Sequence, residues 1–195
     1  MTMLEVIAAV FGAIAVSLSA RENVWSWPTA IVNVALYTIV FFQSRLYADM
    51  GLQVVYLVLS VYGWYNWLHG GVQRTELHVS RATLRTLLIT TVFVVVGSYI
   101  LGSLLATRTN AALPYLDSAL TVASLAAQWM MTRKILENWI IWIVLDVIYV
   151  PMFLSRGLFA TSVLYAIFLV LAILGLITWR RSYLRQQPSS ALKAA

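Results

Sequence analysis

The chain contains no cysteine. That excludes disulfide cross-links, thiol nucleophiles and thiolate metal sites together. Histidine is nearly as scarce: His69 and His78 are the only two, and both fall in one segment between apolar runs. Charge is sparse too, at 10% of 195 residues, where a soluble domain carries about 25%. Hydrophobic residues fill the space at 62%. Such a chain is an integral membrane protein with almost no mass outside the bilayer, which excludes a separate soluble catalytic domain. No Lys or Arg precedes the first apolar run, and "MTMLEV" carries an acid, so no secretory signal peptide is expected. The net charge of +6 reads as insertion topology rather than nucleic-acid binding.

A membrane helix needs about 20 mostly apolar residues. Seven stretches qualify, at roughly 3–20, 26–43, 47–68, 86–106, 116–133, 138–154 and 157–179. Pro28 falls in the first turn of the second, where its missing N–H costs nothing. Pro151 lies inside the sixth and is expected to kink or weaken it. Seven spans put the termini on opposite sides. One side then collects three basic residues and the other ten, the latter including Arg74, Arg81, Arg85, Arg133, Lys134, Arg180 and Arg181. The positive-inside rule makes the ten-residue side cytoplasmic, with the N-terminus outside.

Two segments echo each other. "ENVWSWPTAIVNV" begins a run at Glu22 that passes Ser44-Arg45 and a glycine to reach Trp67; "ENWIIWIVLDV" begins one at Glu137 that passes Ser155-Arg156 and a glycine to reach Trp179. Each carries a polar residue in mid-span, Asn33 or Asp146. With one helix between them, two three-helix units share one membrane orientation. The expected fold is therefore all-α, seven transmembrane helices as two parallel three-helix bundles joined by a linker helix. Residues 1–68 form the first bundle, 69–115 the cytoplasmic loop and linker helix, 116–179 the second bundle, and 180–195 a cytoplasmic tail. Parallel repeats of this kind build transporters whose substrate sits near the midplane between the repeats.

Successive helical residues turn about 100°. Ser26, Asn33, Tyr37 and Ser44 therefore share a face of the second helix, as do Asp49, Gln53, Tyr56, Ser60, Trp64 and Trp67 on the third. Asp117, Thr121, Ser124 and Gln128 line up on the fifth; Asn138, Trp142, Asp146 and Tyr149 line up on the sixth. A single such residue is ordinary interhelical glue. Four aligned stripes exceed that need, and polar side chains in a bilayer face a bundle interior or a wet cavity. The expected site is a polar, aromatic-walled central pocket. Flat indole faces at Trp64, Trp67 and Trp142 suit a planar heteroaromatic ring, better still a cationic one. The amides supply neutral donors and acceptors for hydroxyls or a carboxamide. No basic residue lies inside a span, so a phosphate or carboxylate would lack a counter-charge, which favours a nucleoside or vitamin over a nucleotide. Trp25, Trp27, Trp139 and Trp179 lie at span ends and read as interfacial anchors. Ser98, Gly102 and Ala106, like Ala8 and Gly12, form small-residue rows expected to pack and not to recognise a ligand.

With these residues in place, "WSWPTAIVNVALYTIVFFQSRLYADMGLQVVYLVLSVYGWYNW" (25–67) and "SLAAQWMMTRKILENWIIWIVLDVIYV" (124–150) resemble the PnuC family of nicotinamide riboside transporters. The Asn-Trp-x-x-Trp motif at Asn138, Trp139 and Trp142 carries most of the resemblance. It implies a 3+1+3 fold similar to the SWEET sugar transporters, facilitated diffusion across a bacterial inner membrane, trapping by a cytoplasmic kinase, and a homotrimer. Close relatives carry thiamine or riboflavin-like vitamins, which remain alternatives. The substrate-binding residues expected are Asn33, Tyr37, Gln53, Tyr56, Ser60, Trp64, Trp67, Gln128, Asn138, Trp142, Asp146 and Tyr149, between two units that rock to give alternating access. Asp146 either balances a cationic ring or stays protonated and ties helices together, and ion coupling would use it or Asp117. No cofactor, metal or nucleic-acid partner is expected. A seven-helix receptor or sensor is the alternative of another class, against which the short low-complexity tail after Trp179 counts, and neither His, Cys nor clustered carboxylates offer an enzyme site.

Overall fold

The structure, a computed structural model, describes residues 3–45, 47–109 and 113–186. Seven α-helices occur where the apolar runs place them: α1 (Met3–Ala20), α2 (Ser26–Gln43), α3 (Tyr47–His69), α4 (Leu84–Arg108), α5 (Pro114–Thr132), α6 (Asn138–Ser155) and α7 (Phe159–Gln186). Thr83 caps α4 by accepting the Thr86 N–H, and Pro114 opens α5. Each turn inside a three-helix unit uses a single left-handed residue, with φ of 58° at Glu22, 58° at Arg45, 49° at Lys134 and 74° at Gly157. One such residue reverses the chain in a few steps. Helix α6 includes Pro151 and ends at Ser155, one turn beyond it. One detail departs from expectation. Helix α7 runs two turns past Trp179, so 180–186 is helix and not tail; 187–195 lie outside the described residues.

Five of these helices, α1, α2, α4, α6 and α7, are long and apolar enough by themselves to cross a membrane. Helices α3 and α5 are long enough but carry the richest polar stripes, and they survive in a bilayer because neighbours flank them. The packing explains how. In the first unit α2 lies between α1 and α3, and in the second α6 lies between α5 and α7. The units meet along two seams, α3 against α5 and α7 against α1. A two-fold operation taking α1, α2, α3 onto α5, α6, α7 also carries one seam onto the other. Six helices thus close a ring, and α4, the linker, stands outside it against α5.

The symmetry is visible in side chains at the end of the ring where α6 begins, hereafter the basic end. Four indoles interlock there: Trp27 of α2 with Trp67 of α3 (ring centroids 5.3 Å), Trp67 with Trp179 of α7 (5.7 Å), and Trp179 with Trp139 of α6 (5.4 Å). All three contacts are edge-on, the arrangement ring quadrupoles favour. The two inner indoles fasten the seams: Trp67 Nε1 donates to the Met131 carbonyl on α5 (3.0 Å), and Trp179 Nε1 to the Ser19 carbonyl on α1 (2.9 Å). The assignment of Trp27, Trp139 and Trp179 as interfacial anchors is therefore corrected: they are 2%, 1% and 0% exposed, while Trp25 is outward as expected. Glycine opposite each outer indole admits the ring. A Cβ on Gly63 would lie 2.4 Å from Trp27, and one on Gly175 2.6 Å from Trp139. Gly175→Ala is expected to lower unfolding stability by about 1–3 kcal/mol through overpacking, measured by thermal melting in detergent; an unchanged melting temperature would contradict this packing.

Between α3 and α4 the chain does not loop freely but straps the basic end. The Leu77 N–H donates to the Trp67 carbonyl, and Val79 is buried on the tryptophan cluster. Ser80 makes a parallel bridge with Ile135. The Glu137 carboxylate accepts from the Ala82 N–H (2.7 Å) and from Arg81 Nε (2.9 Å). Lys134 is buried over the Trp67 ring, 3.7 Å from the Glu22 carboxylate of the first unit. Burial pulls its ammonium pKa below the ordinary lysine value, and Glu22 opposes that shift. Glu137→Ala should release the strap, costing about 1–3 kcal/mol for the orphaned backbone donor; faster amide exchange over 77–82 is the readout.

Candidate functional site

A cavity of about 650 Å³ occupies the middle of the ring, bounded at the basic end by Trp27 and Trp139 and reaching Phe41, Phe153 and Ala160 toward the other. That size is ordinary for a small-molecule site. Each unit supplies one wall. From the first come Asn33 and Tyr37 on α2 with Gln53, Tyr56 and Ser60 on α3. From the second come Gln128 on α5, Trp142 and Asp146 on α6, and Tyr165 on α7. Helix α1 contributes Ala9, Gly12, Ala15 and Val16, so its small residues border the cavity as well as packing.

Eight of the expected site residues are thus brought together: Asn33, Tyr37, Gln53, Tyr56, Ser60, Gln128, Trp142 and Asp146. Four are not in the lining. Trp67 belongs to the indole cluster beneath the cavity. Trp64 is 39% exposed on the outer surface. The stripe on α3 was broad, and the inward direction at its basic end is set by Gly63 and Trp67; Trp64 lies about 60° around the helix from Trp67. Asn138 is fully buried behind the lining, its amide N–H donating to the Ile135 carbonyl (2.6 Å). Tyr149 packs on Tyr165 and Phe153. Conversely, Trp27 and Trp139 line the cavity although they read as interfacial anchors, and Ser26, on the expected face of α2, lines it with Tyr165 although neither was among the expected binding residues. The signal for the two indoles was the Gly-x-x-x-Trp spacing at Gly63/Trp67 and Gly175/Trp179, which marks where a neighbouring ring must be admitted.

The polar groups divide by partner. Asn33 donates to the Ala8 carbonyl (2.7 Å), tying α2 to α1 while lining the site. The Tyr56 and Ser124 hydroxyls bond across the α3/α5 seam. Asp146 is 4% exposed, and no hydrogen bond or ion pair engages it among the described residues. A helix-tying role has no partner group here. Asp49 and Asp117 lie off the lining. Among the described residues no Lys, Arg or His borders the cavity, and Asp146 is the sole one of them in its wall able to carry a full charge at neutral pH. Among the described residues no cluster of three or more metal-ligating side chains occurs.

Comparison with known proteins finds the same fold and a family. A family model described as "Nicotinamide mononucleotide transporter" matches residues 2–181. The chain is 29% identical to the nicotinamide riboside transporter PnuC of Escherichia coli (strain K12), over 98% of this chain and 90% of that one. It is 24% identical to the riboflavin/roseoflavin transporter RibM of Streptomyces davaonensis, over 90% and 83%. The crystal structure of a vitamin B3 transporter PnuC superposes with a TM-score of 0.74 at 26% identity, covering 94% of this chain and 83% of that one.

Proposed function

Because this chain belongs to the PnuC family of membrane transporters, we propose that it carries nicotinamide riboside by facilitated diffusion with alternating access. The observation that carries the reading is the charge of the cavity wall: aromatic rings, amides and hydroxyls, one carboxylate, and no basic side chain. A mononucleotide would bring a phosphate with nothing to pair with, and an unpaired buried anion is heavily penalised. The riboside brings a fixed pyridinium cation, a carboxamide and sugar hydroxyls. Trp142 would stack on the cationic ring, Asp146 would balance its charge, and Gln128 with Gln53 and Asn33 would meet the amide and hydroxyls. Riboflavin is the second reading, favoured by the similarity to RibM; its uncharged ring offers Asp146 no opposite charge.

For transport, the units would rock about the cavity. Opening the basic end, which the charge distribution makes cytoplasmic, requires breaking the Trp67–Met131 and Trp179–Ser19 hydrogen bonds and parting Lys134 from Glu22. Calorimetry on the purified protein with nicotinamide riboside, thiamine and riboflavin in parallel tests the substrate. The riboside should bind and the others should not; binding of riboflavin or thiamine alone overturns the assignment. Uptake into proteoliposomes should persist without a proton or sodium gradient, and its collapse would rule out facilitated diffusion.

A further inference from the structure

Most buried hydroxyls in the helices are satisfied by backbone. Ser118, Ser124, Thr132 and Ser162 donate to the carbonyls of Pro114, Thr121, Trp129 and Val150. Ser26 and Ser60 are equally buried, each 1% exposed, yet their hydroxyls have no partner. Both line the cavity at its basic end. The indole cluster divides the same way: the N–H groups of Trp67 and Trp179 are satisfied across the seams, whereas those of Trp27 and Trp139 have no partner, and these two are the cavity-lining pair. Buried polar groups in native proteins are nearly always hydrogen-bonded, so a cluster of exceptions at one end of the cavity, three on the first unit and Trp139 on the second with the Asn138 Oδ1 behind it, asks for a missing partner. Ser98 on α4, the other buried hydroxyl without a partner among the described residues, lies away from the cavity.

We propose that Ser26, Trp27 and Ser60 form a sugar subsite on the first unit, which receives the hydroxylated end of the ligand and so orients it with its ring toward Asp146. This rests on the riboside reading. An indole N–H only donates, whereas a serine hydroxyl both donates and accepts. Sugar hydroxyls satisfy that mixture, since each can accept from the indole and exchange bonds with a serine. A turn of χ1 between staggered wells swings either serine Oγ toward the cavity. Sequence pattern alone gave Trp27 to the interface, while Ser26 and Ser60 already lay on the polar faces of α2 and α3.

The test uses the purified full chain and two ligands of equal ring charge, nicotinamide riboside and the N1-methylnicotinamide cation, which lacks the sugar. Calorimetry compares the wild type with Ser26→Ala/Ser60→Ala and separately with Trp27→Phe, which keeps an aromatic ring and removes the N–H. Each variant should weaken the riboside about tenfold or more, ~1.4 kcal/mol per decade, and leave the methylnicotinamide affinity within about twofold. An unchanged riboside affinity, or an equal loss for both ligands, overturns the subsite. If the wild type binds riboflavin and neither pyridinium, the riboside reading fails. The subsite is then judged on riboflavin against lumichrome, the same ring without its hydroxylated chain. A loss confined to riboflavin supports it, and no such loss overturns it.

Discussion

Replacing Asp146 by asparagine should cost the cationic ligand at least about 30-fold in affinity. The carboxylate is 4% exposed, lines the cavity, and has no cation among the described side chains to neutralise it. A pyridinium seated beside it would supply the only opposite charge, in surroundings where water screens little. Removing one member of such a buried pair costs about 2–5 kcal/mol. The substitution is close to isosteric, so α6 should keep its packing and its melting temperature. An uncharged flavin should bind the variant as well as the wild type, or better, since the cost of burying an unpaired charge has gone. The measurement is a matched calorimetric series with nicotinamide riboside and riboflavin on both proteins. Riboside affinity that survives the change intact would remove Asp146 from the site and with it the electrostatic argument for a cationic substrate.

Trp142→Ala should abolish measurable riboside binding, whereas Trp64→Ala should leave it within about twofold. Both tryptophans sit on polar-aromatic stripes and cannot be told apart by spacing. In the folded protein only Trp142 borders the cavity, and Trp64 is turned to the outer surface. Losing a stacked indole forfeits its apolar contact, about 3–5 kcal/mol for a buried aromatic truncated to alanine when measured as stability, and a cation–π attraction of roughly 0.5–2 kcal/mol. Size-exclusion profiles and melting curves separate lost binding from lost folding. If the two variants behave alike, the placement of the ring site is wrong.

Much of the site was legible because periodicity acts on whole faces. Gln53, Tyr56 and Ser60 recur at spacings of three and four on α3, and an inward direction for one is inward for the others. The Asn33 and Asp146 positions stood out because hydrocarbon does not solvate them. What periodicity could not resolve was the edge of a face. Trp64 and Trp67 belong to one stripe, yet the first is outside and the second is core, a difference set by how α2 leans on Gly63. Tryptophans near span ends were a second ambiguity. Membrane depth is the same for an anchor at the interface and a plug in the middle of the ring; lateral position distinguishes them, and lateral position is tertiary.

The sequence by itself determined the membrane character, the seven helices, and their grouping as three, one and three. These follow from hydropathy, turn positions and charge counts, which are sums over the local chain. Only the tertiary structure decided that six helices close into a ring with α4 outside, that four indoles interlock across two symmetry-related seams, and which polar atoms are left without partners on the cavity wall. Those facts depend on which neighbour each face meets, and a neighbour tens of residues away leaves no mark on local spacing.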